Sequence, residues 1–438
     1  MDFIKPSDLA NRQVLILGLG SFGGGAGCAR ALHELGAKVV VSDLRPASKL
    51  QTSIDSLAGY PIEFVFENHP EFLFEQADVV VVNPAVPNEA SVWELAAKHN
   101  CKLTTEVNLA IAARPDVPTV AITGTHGKST CASLLHHLLG EHSLLAGNLG
   151  GSFLEQVLSN PDADSIVLEV SSFQCERLVA PQGWPKVAVL TSFGEDHLDR
   201  HGDVMSYAAA KRRLLKHQDH SCYALVSGVD EESNNWIKDA RGSWMATGNL
   251  SPTDFGLTES ELPFSEQFRM PSLLGALQAA RILGHNEADF RNYAGLEHRM
   301  QQIVDIHGRR LINNGVATHP DPTAAALGSV SGGKVLLAGG KDKLLDLSEI
   351  INVASKDTRL HLHGEGGQRL ADLCSIARIP HHLHSNFEEA AEAALANLHP
   401  DEVLIFSPTF ASFDEFNNFS ERAQLFLRLT EEIPIKSS

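Results

Sequence analysis

Cysteine is scarce and unpatterned: Cys28, Cys101, Cys131, Cys175, Cys222 and Cys374 are scattered through 438 residues with no C-x-x-C spacing. That argues against thiolate metal clusters and disulfide frameworks, and most of the six are expected as small buried apolar residues. No stretch reaches the ~18 uninterrupted apolar residues of a membrane span, and Met1 to Ala10 lacks the apolar core of a secretory signal, so a cytoplasmic chain with no membrane partner is expected. Basic charge is in deficit, with 35 Lys and Arg against 54 Asp and Glu and a net charge of −19. Such a field repels nucleic-acid phosphates, although loops and Mg²⁺ can still bind a small anionic substrate locally. The 34 glycines and 20 prolines form no low-complexity tract, internal repeat or disordered tail. With 43% hydrophobic residues, the length suits two to four domains, each with its own core.

The run Ala121-Ile-Thr-Gly-Thr-His-Gly-Lys-Ser-Thr130 joins an apolar strand, Thr119 to Ile122, to a helical pattern that continues from Cys131 to Leu139. Gly124 and Gly127 let the backbone bend so that its N–H groups converge, and the positive N-terminal end of the helix attracts anions. Lys128 is placed to neutralise phosphate, and Ser129 or Thr130 to offer a hydroxyl to Mg²⁺. Ile122 stands where the first glycine of G-x-x-x-x-G-K-[ST] would be, so the loop is a variant of that pattern.

The chain alternates strand and helix throughout, which predicts three α/β domains in series. Gln13-Val-Leu-Ile-Leu-Gly-Leu-Gly-Ser-Phe-Gly-Gly-Gly25 is a strand running into G-x-G-x-x-G, with a helix to Leu35 and a strand from Ala37 to Ser42 that ends at Asp43. This is the order of a dinucleotide-type unit, but the glycine pattern alone is weak and leaves an oxidoreductase as a competing class. Asp78 to Pro84 reads as another buried strand of an open parallel sheet. The second segment adds a strand reading Ser165 to Gln174 and another from Val187 to Thr191. Beyond Gly295, strands at Arg310 to Asn313, Lys334 to Ala338 and Glu402 to Ser407 repeat the alternation. The expected boundaries are a Rossmann-like domain at 1–106, a central P-loop ATPase-like domain at 107–296 and a Rossmann-like domain at 297–438.

Glu169 closes a strand and His197 follows another in Gly194-Glu-Asp-His-Leu-Asp-Arg200. Alone, Glu169 would equally be a capping or ion-paired carboxylate, and His197 a hydrogen-bonded loop histidine. Their places at sheet ends behind a phosphate loop favour a Mg²⁺ site with Ser129 or Thr130.

Taken together, Gly124-Thr-His-Gly-Lys-Ser-Thr130, Gly147-Asn-Leu-Gly150, Glu169-Val-Ser-Ser-Phe-Gln174, Asp196-His-Leu-Asp199, Tyr207-Ala-Ala-Ala-Lys211, His298-Arg299 and Ser407-Pro-Thr-Phe-Ala-Ser-Phe-Asp-Glu-Phe416 resemble, in order and spacing, the Mur ligases. These are ATP-dependent amide-forming enzymes of peptidoglycan synthesis. Ser-Ser-Phe-Gln and the stretch Ser412-Phe-Asp-Glu-Phe-Asn-Asn-Phe419 are most similar to the branch that adds D-glutamate to UDP-N-acetylmuramoyl-L-alanine. The resemblance implies that Gly18-Leu-Gly-Ser-Phe-Gly23, with Ser21 and Phe22, holds a uridine diphosphate and that Asp43 and Arg45 face the uracil. It implies Gly124, Thr125, His126, Gly127, Lys128, Ser129, Thr130, Arg299 and Asn314 for ATP, and Ser129, Glu169, His197 and a CO₂-carbamylated Lys211 for Mg²⁺. Asn148, Ser171 and Gln174 would line the muramoyl-alanine site, and Thr318, Lys343, Ser412 and Phe419 the glutamate pocket. Lys128, His197 and Lys211 would be the catalytic residues, and a monomer is the expected state.

The chain departs from the family pattern on the nucleotide side. Pro271-Ser272 replace a usual His-Asn pair near adenine, and Asn314-Gly-Val316 replace a usual acidic residue, hydroxyl and lysine. Ser192 stands where asparagine is common. An amide has one acceptor oxygen where a carboxylate has two, so Asn314 cannot copy an aspartate that accepts both ribose hydroxyls. The alternatives to a glutamate-adding ligase are a Mur-type ligase of altered amino-acid or nucleotide choice and a non-catalytic relative that binds UDP-sugar.

Overall fold

The computed structural model describes residues 1–434 except 21–22, 229–230, 265–266, 355–356 and 417, and only the backbone of Asp199. Ser21 and Phe22, expected at the diphosphate, lie outside the described residues. The described residues form two compact units, Met1–Tyr293 and Ala294–Ser438.

The first unit holds two parallel sheets. One comprises β1 (Gln13–Leu17), β2 (Lys38–Asp43), β3 (Glu63–Phe66), β4 (Val79–Val82) and β5 (Lys102–Thr104), in the order β3-β2-β1-β4-β5. The other comprises β6 (Thr119–Thr123), β7 (Ser143–Gly147), β8 (Ser165–Glu169), β9 (Val187–Leu190), β10 (Tyr223–Val226) and β11 (Ser243–Ala246), in the order β11-β10-β9-β6-β8-β7. Strands buried on both faces read as continuous apolar runs, and side-chain alternation divides them between two cores. Val14 and Ile16 of β1 face one way, while Leu15 and Leu17 face the other. On β6, Ala121 enters the same cluster as Val14 and Ile16, whereas Val120 and Ile122 pack on the opposite face. One core therefore runs from the first sheet to the second through helices Gly24–Glu34, Glu106–Ala113 and Phe153–Ser159.

The second unit has one mixed sheet: β12 (Gln301–Val304), β13 (Arg310–Asn313), β14 (Lys334–Gly339), β15 (Thr358–His363), β16 (His381–His384) and β17 (Val403–Thr409). Its order is β12-β13-β17-β14-β15-β16, with β12 antiparallel to β13 and the remaining pairs parallel.

Of the strand boundaries read from the sequence, one moves materially. The strand expected to reach Gln174 stops at Glu169, and Ser172–Glu176 is a helix. Ser171 caps it, accepting from the Gln174 N–H at 3.2 Å, while Gln174 Oε1 accepts from the Ser171 N–H at 2.8 Å. This reciprocal box satisfies two helix-end donors and outweighs the β-pattern of the preceding apolar run. Of the six cysteines, all but Cys101 are buried.

Candidate active site

In the second sheet of the first unit, the ends of β6, β8 and β9 bring the expected groups together, at the carboxyl edge where open α/β sheets bind ligands. The phosphate loop leaves β6 at Gly124, with φ +153°, and enters the helix Lys128–Leu139 through Gly127, with φ +81°. Both conformations favour glycine, and a side chain at Gly124 would collide with the Thr191 hydroxyl. The loop is fastened to residues 191–194. Thr125 N donates to Ser192 O at 2.9 Å, Thr125 Oγ1 donates to Gly194 O at 3.1 Å, and Thr191 Oγ1 donates to His126 O at 2.5 Å. Ser192 Oγ accepts from His126 N at 2.9 Å and lies 3.1 Å from His126 O.

Two amines converge on the start of this loop. Lys128 Nζ donates to the carbonyls of Gly124 and Thr125 at 3.0 and 2.9 Å, and Lys211 Nζ donates to Gly124 O at 2.8 Å. Lys211, on helix Val204–Arg212, is only 1% exposed, and its amine lies 4.4 Å from the centre of the Tyr207 ring. Burial, aided by the Lys128 charge, pushes its pKa down to about 7. It is thus no ordinary surface lysine: near neutrality much of it is an uncharged amine.

Glu169, the last residue of β8, is 2% exposed. Asn148 Nδ2 donates to its Oε1 at 3.3 Å, while Oε2 has no hydrogen-bond partner among the described residues. A buried carboxylate oxygen in that condition is a hard donor that suits a divalent cation, and Ser129, in the first turn of the helix that follows the loop, is buried as well. His197 is an exposed residue at φ +52° in the N-cap position of the helix Leu198–His201, with its Nε2 3.4 Å from Asp196 Oδ2 and its ring 5.0 Å from Phe173.

Other expected residues are engaged locally. Asp43 is 5% exposed and accepts from the N–H groups of Leu19 and Gly20 at 2.9 and 3.3 Å and from Arg45 Nη2 at 3.1 Å. Burial alone would raise its pKa, but the hydrogen bonds and charge of Arg45 hold it below the usual carboxylate value. The carboxylate thereby organises the glycine-rich turn, and Arg45 is the more exposed of the pair. Ser171 and Gln174 bond to each other in their capping box. Ser272 is 3% exposed and donates to Gly127 O at 3.0 Å.

In the second unit, Arg299 lies between two left-handed residues, His298 at φ +60° and Met300 at φ +51°. Asn314 is 5% exposed; its Nδ2 donates to Ser407 Oγ at 3.1 Å and its Oδ1 accepts from Met300 N at 3.3 Å. Lys343 Nζ donates to Thr318 O at 3.3 Å, which brings two expected glutamate-pocket residues together. Ser412 is buried in the segment after β17, and Phe419 opens the helix Phe419–Glu432. Sequence reasoning did not assign Thr191, whose hydroxyl fastens the loop; a threonine at a strand end carries no signal for that role.

The fold matches what comparison finds. The profile described as Mur ligase middle domain matches residues 122–262. The UDP-N-acetylmuramoylalanine–D-glutamate ligase of Geobacter metallireducens is 32% identical over 96% of this chain and 97% of its own length. The ligase of the same name from Roseiflexus is 30% identical over 97% of this chain and 99% of its own. Among solved structures, the UDP-N-acetylmuramate–alanine ligase MurC of Thermotoga maritima has a TM-score of 0.60 at 14% identity, covering 95% of this chain and 99% of that one. MurF of the same organism, in complex with ADP, gives 0.54 at 14% identity over 98% and 96%. The chain belongs to the Mur ligase family, the ATP-dependent amide ligases.

Proposed function

We propose that this protein joins D-glutamate to UDP-N-acetylmuramoyl-L-alanine, in cytoplasmic peptidoglycan precursor synthesis, with ATP and Mg²⁺. The single observation behind the chemistry is the convergence of Lys128 and Lys211 on Gly124, with a buried oxygen of Glu169 that has no partner among the described residues at the end of the adjacent strand β8. The full-length likeness to ligases of that name supports the substrate pair.

Lys128 neutralises the γ-phosphate and brings it to the substrate carboxylate, so that a carboxylate oxygen attacks phosphorus and ADP leaves. The amine of glutamate then attacks the acyl carbon of the acyl phosphate, losing a proton and displacing inorganic phosphate. Ser129, Glu169, His197 and a carbamylated Lys211 would hold Mg²⁺, which when bound screens the repulsion between phosphate and carboxylate. Thr318, Lys343, Ser412 and Phe419 would take the amino acid, Lys343 by pairing with a carboxylate. The test is an amino-acid panel with UDP-N-acetylmuramoyl-L-alanine, ATP and Mg²⁺, read by phosphate release and product mass. Release only with D-glutamate is expected, and turnover with another amino acid alone would replace the substrate assignment.

His197→Ala and Glu169→Gln are each expected to raise the Mg²⁺ concentration for half-maximal activity by ~10-fold or more. Because they serve one ion, the double variant should lose less than the sum of the two. Titrations that overlay the wild type in both would remove them from the metal set.

Nucleotide choice follows from the start of helix Met270–Ile282. Pro271 brings no N–H, and the Ser272 hydroxyl is turned to Gly127. With no side-chain donor from this turn for a base, the KM values for ATP and GTP should lie within ~10-fold of each other, since strong discrimination needs such contacts. Strict adenine selectivity in a steady-state comparison would show that other residues read the base.

A further inference from the structure

The carbonyls of two successive peptides of the phosphate loop are anchored by hydroxyls. His126 O accepts from Thr191 Oγ1 at 2.5 Å, with Ser192 Oγ at 3.1 Å. Gly127 O accepts from Cys131 N at 2.9 Å, the first helical bond, and from Ser272 Oγ at 3.0 Å. Both lone pairs of that oxygen are therefore engaged. A peptide unit is planar and trans, so fixing a carbonyl fixes the N–H at its opposite edge. The Gly127 carbonyl shares its plane with the Lys128 N–H, and the His126 carbonyl shares its plane with the Gly127 N–H. These two amides open the helix N-terminus, where an anion binds through converging N–H groups.

Ser272 is held rigidly enough for this. It lies in the first turn of helix Met270–Ile282, where Pro271 fits because the N–H it lacks has no helical acceptor there. The helix packs along Lys128–Leu139, and neighbouring Leu273, Ala276 and Leu277 sit in the core with Ile122, Cys131 and Leu135. A Cβ on Gly127 would strike the Ser272 oxygen, which shows how closely the two backbones are matched.

We propose that Ser272 is a positioning residue for the nucleotide phosphates: its hydroxyl orients the Gly127–Lys128 peptide so that the Lys128 N–H and side chain face the anion. The inference rests on the ligase reading for the identity of that anion. The Ser272 hydroxyl bonds to the loop, so its contribution should be the same for every ligand with a polyphosphate tail.

The test is equilibrium binding of a non-hydrolysable ATP analogue, the matching GTP analogue and tripolyphosphate to the full chain, as wild type, Ser272→Ala and Ser272→Thr, beside steady-state KM values and thermal midpoints. Ser272→Ala should weaken all three ligands by a common factor of about three to ten, the size of one neutral hydrogen bond. The KM for ATP should rise by that factor while those for the other two substrates stay unchanged, and Ser272→Thr should regain most of the loss. Unaltered binding in Ser272→Ala overturns the inference and leaves the ligase reading standing. Weakening confined to one base would make Ser272 a base reader, and a parallel rise of all three KM values with a fallen midpoint would make it only structural; both overturn it. A wild type that binds none of the three ligands overturns the ligase reading together with this one.

Discussion

Lys128→Ala should fold normally and lose ligation by ~10²-fold or more in kcat/KM. In the structure the Lys128 amine bonds to two loop carbonyls, of Gly124 and Thr125, and lies half-buried at the start of its helix. Loss of two such bonds from a partly solvated amine costs at most ~1–3 kcal/mol, and Gly124 O keeps its bond from Lys211. The large effect therefore belongs to the transition state, where the cation meets charge shifting between phosphate and carboxylate. The variant has a second readout. The Lys128 charge helps to depress the pKa of Lys211, so removing it should move that amine back toward its ordinary value, visible as slower labelling of Lys211 at neutral pH. Near-normal turnover by a folded Lys128→Ala, measured with saturating ATP, would remove the phosphate-loop assignment.

Lys211→Ala should be nearly inactive and partly restored by short carboxylic acids such as acetate. The buried amine, with a pKa of about 7, is largely neutral above that pH, and only the neutral amine can attack CO₂. In the proposed carbamylation its nitrogen would bond to the CO₂ carbon and give up a proton, which would turn a neutral amine into an anion beside the loop. The sign follows: wild-type activity without added bicarbonate should fall as pH drops below about 7, as protonation removes the nucleophile. A carboxylic acid diffusing into the space left by alanine supplies the missing negative oxygen. Full activity of the alanine variant, or an equal loss with no response to acetate, would leave Lys211 as a buried structural group.

Much of this site was legible in the chain. A phosphate loop needs glycines, a lysine and a hydroxyl in consecutive positions between an apolar strand and a helix, so its chemistry is local and survives reading one residue after another. The place of Glu169 at the end of its strand was legible for a related reason, since the strands of a parallel sheet end at one edge where ligands bind. The capping box of Ser171 and Gln174 was also written in S-x-x-Q, but the preceding apolar run hid it.

What depends on distant partners was not legible. Tyr207 to Arg212 reads as an ordinary helix, and only the packing of that helix under the phosphate loop makes Lys211 1% exposed and lowers its pKa to about 7. Asp43 reads as a ligand-binding carboxylate, and nothing in the sequence shows that Leu19, Gly20 and Arg45 bond to it. Asn314 reads as a weakened ribose contact, and nothing in the sequence shows that its amide bonds to Ser407 and Met300, residues 93 and 14 positions away. Ser272 stands 145 residues from the carbonyl it holds. Periodicity, turn chemistry and motif spacing act over a few residues, so the sequence by itself determined the strand and helix alternation and the class of chemistry. The protonation of Lys211, the engagement of Asp43 and Asn314 and the bracing of the loop were decided by tertiary structure, because burial and hydrogen-bond competition depend on which surfaces meet after the chain has folded.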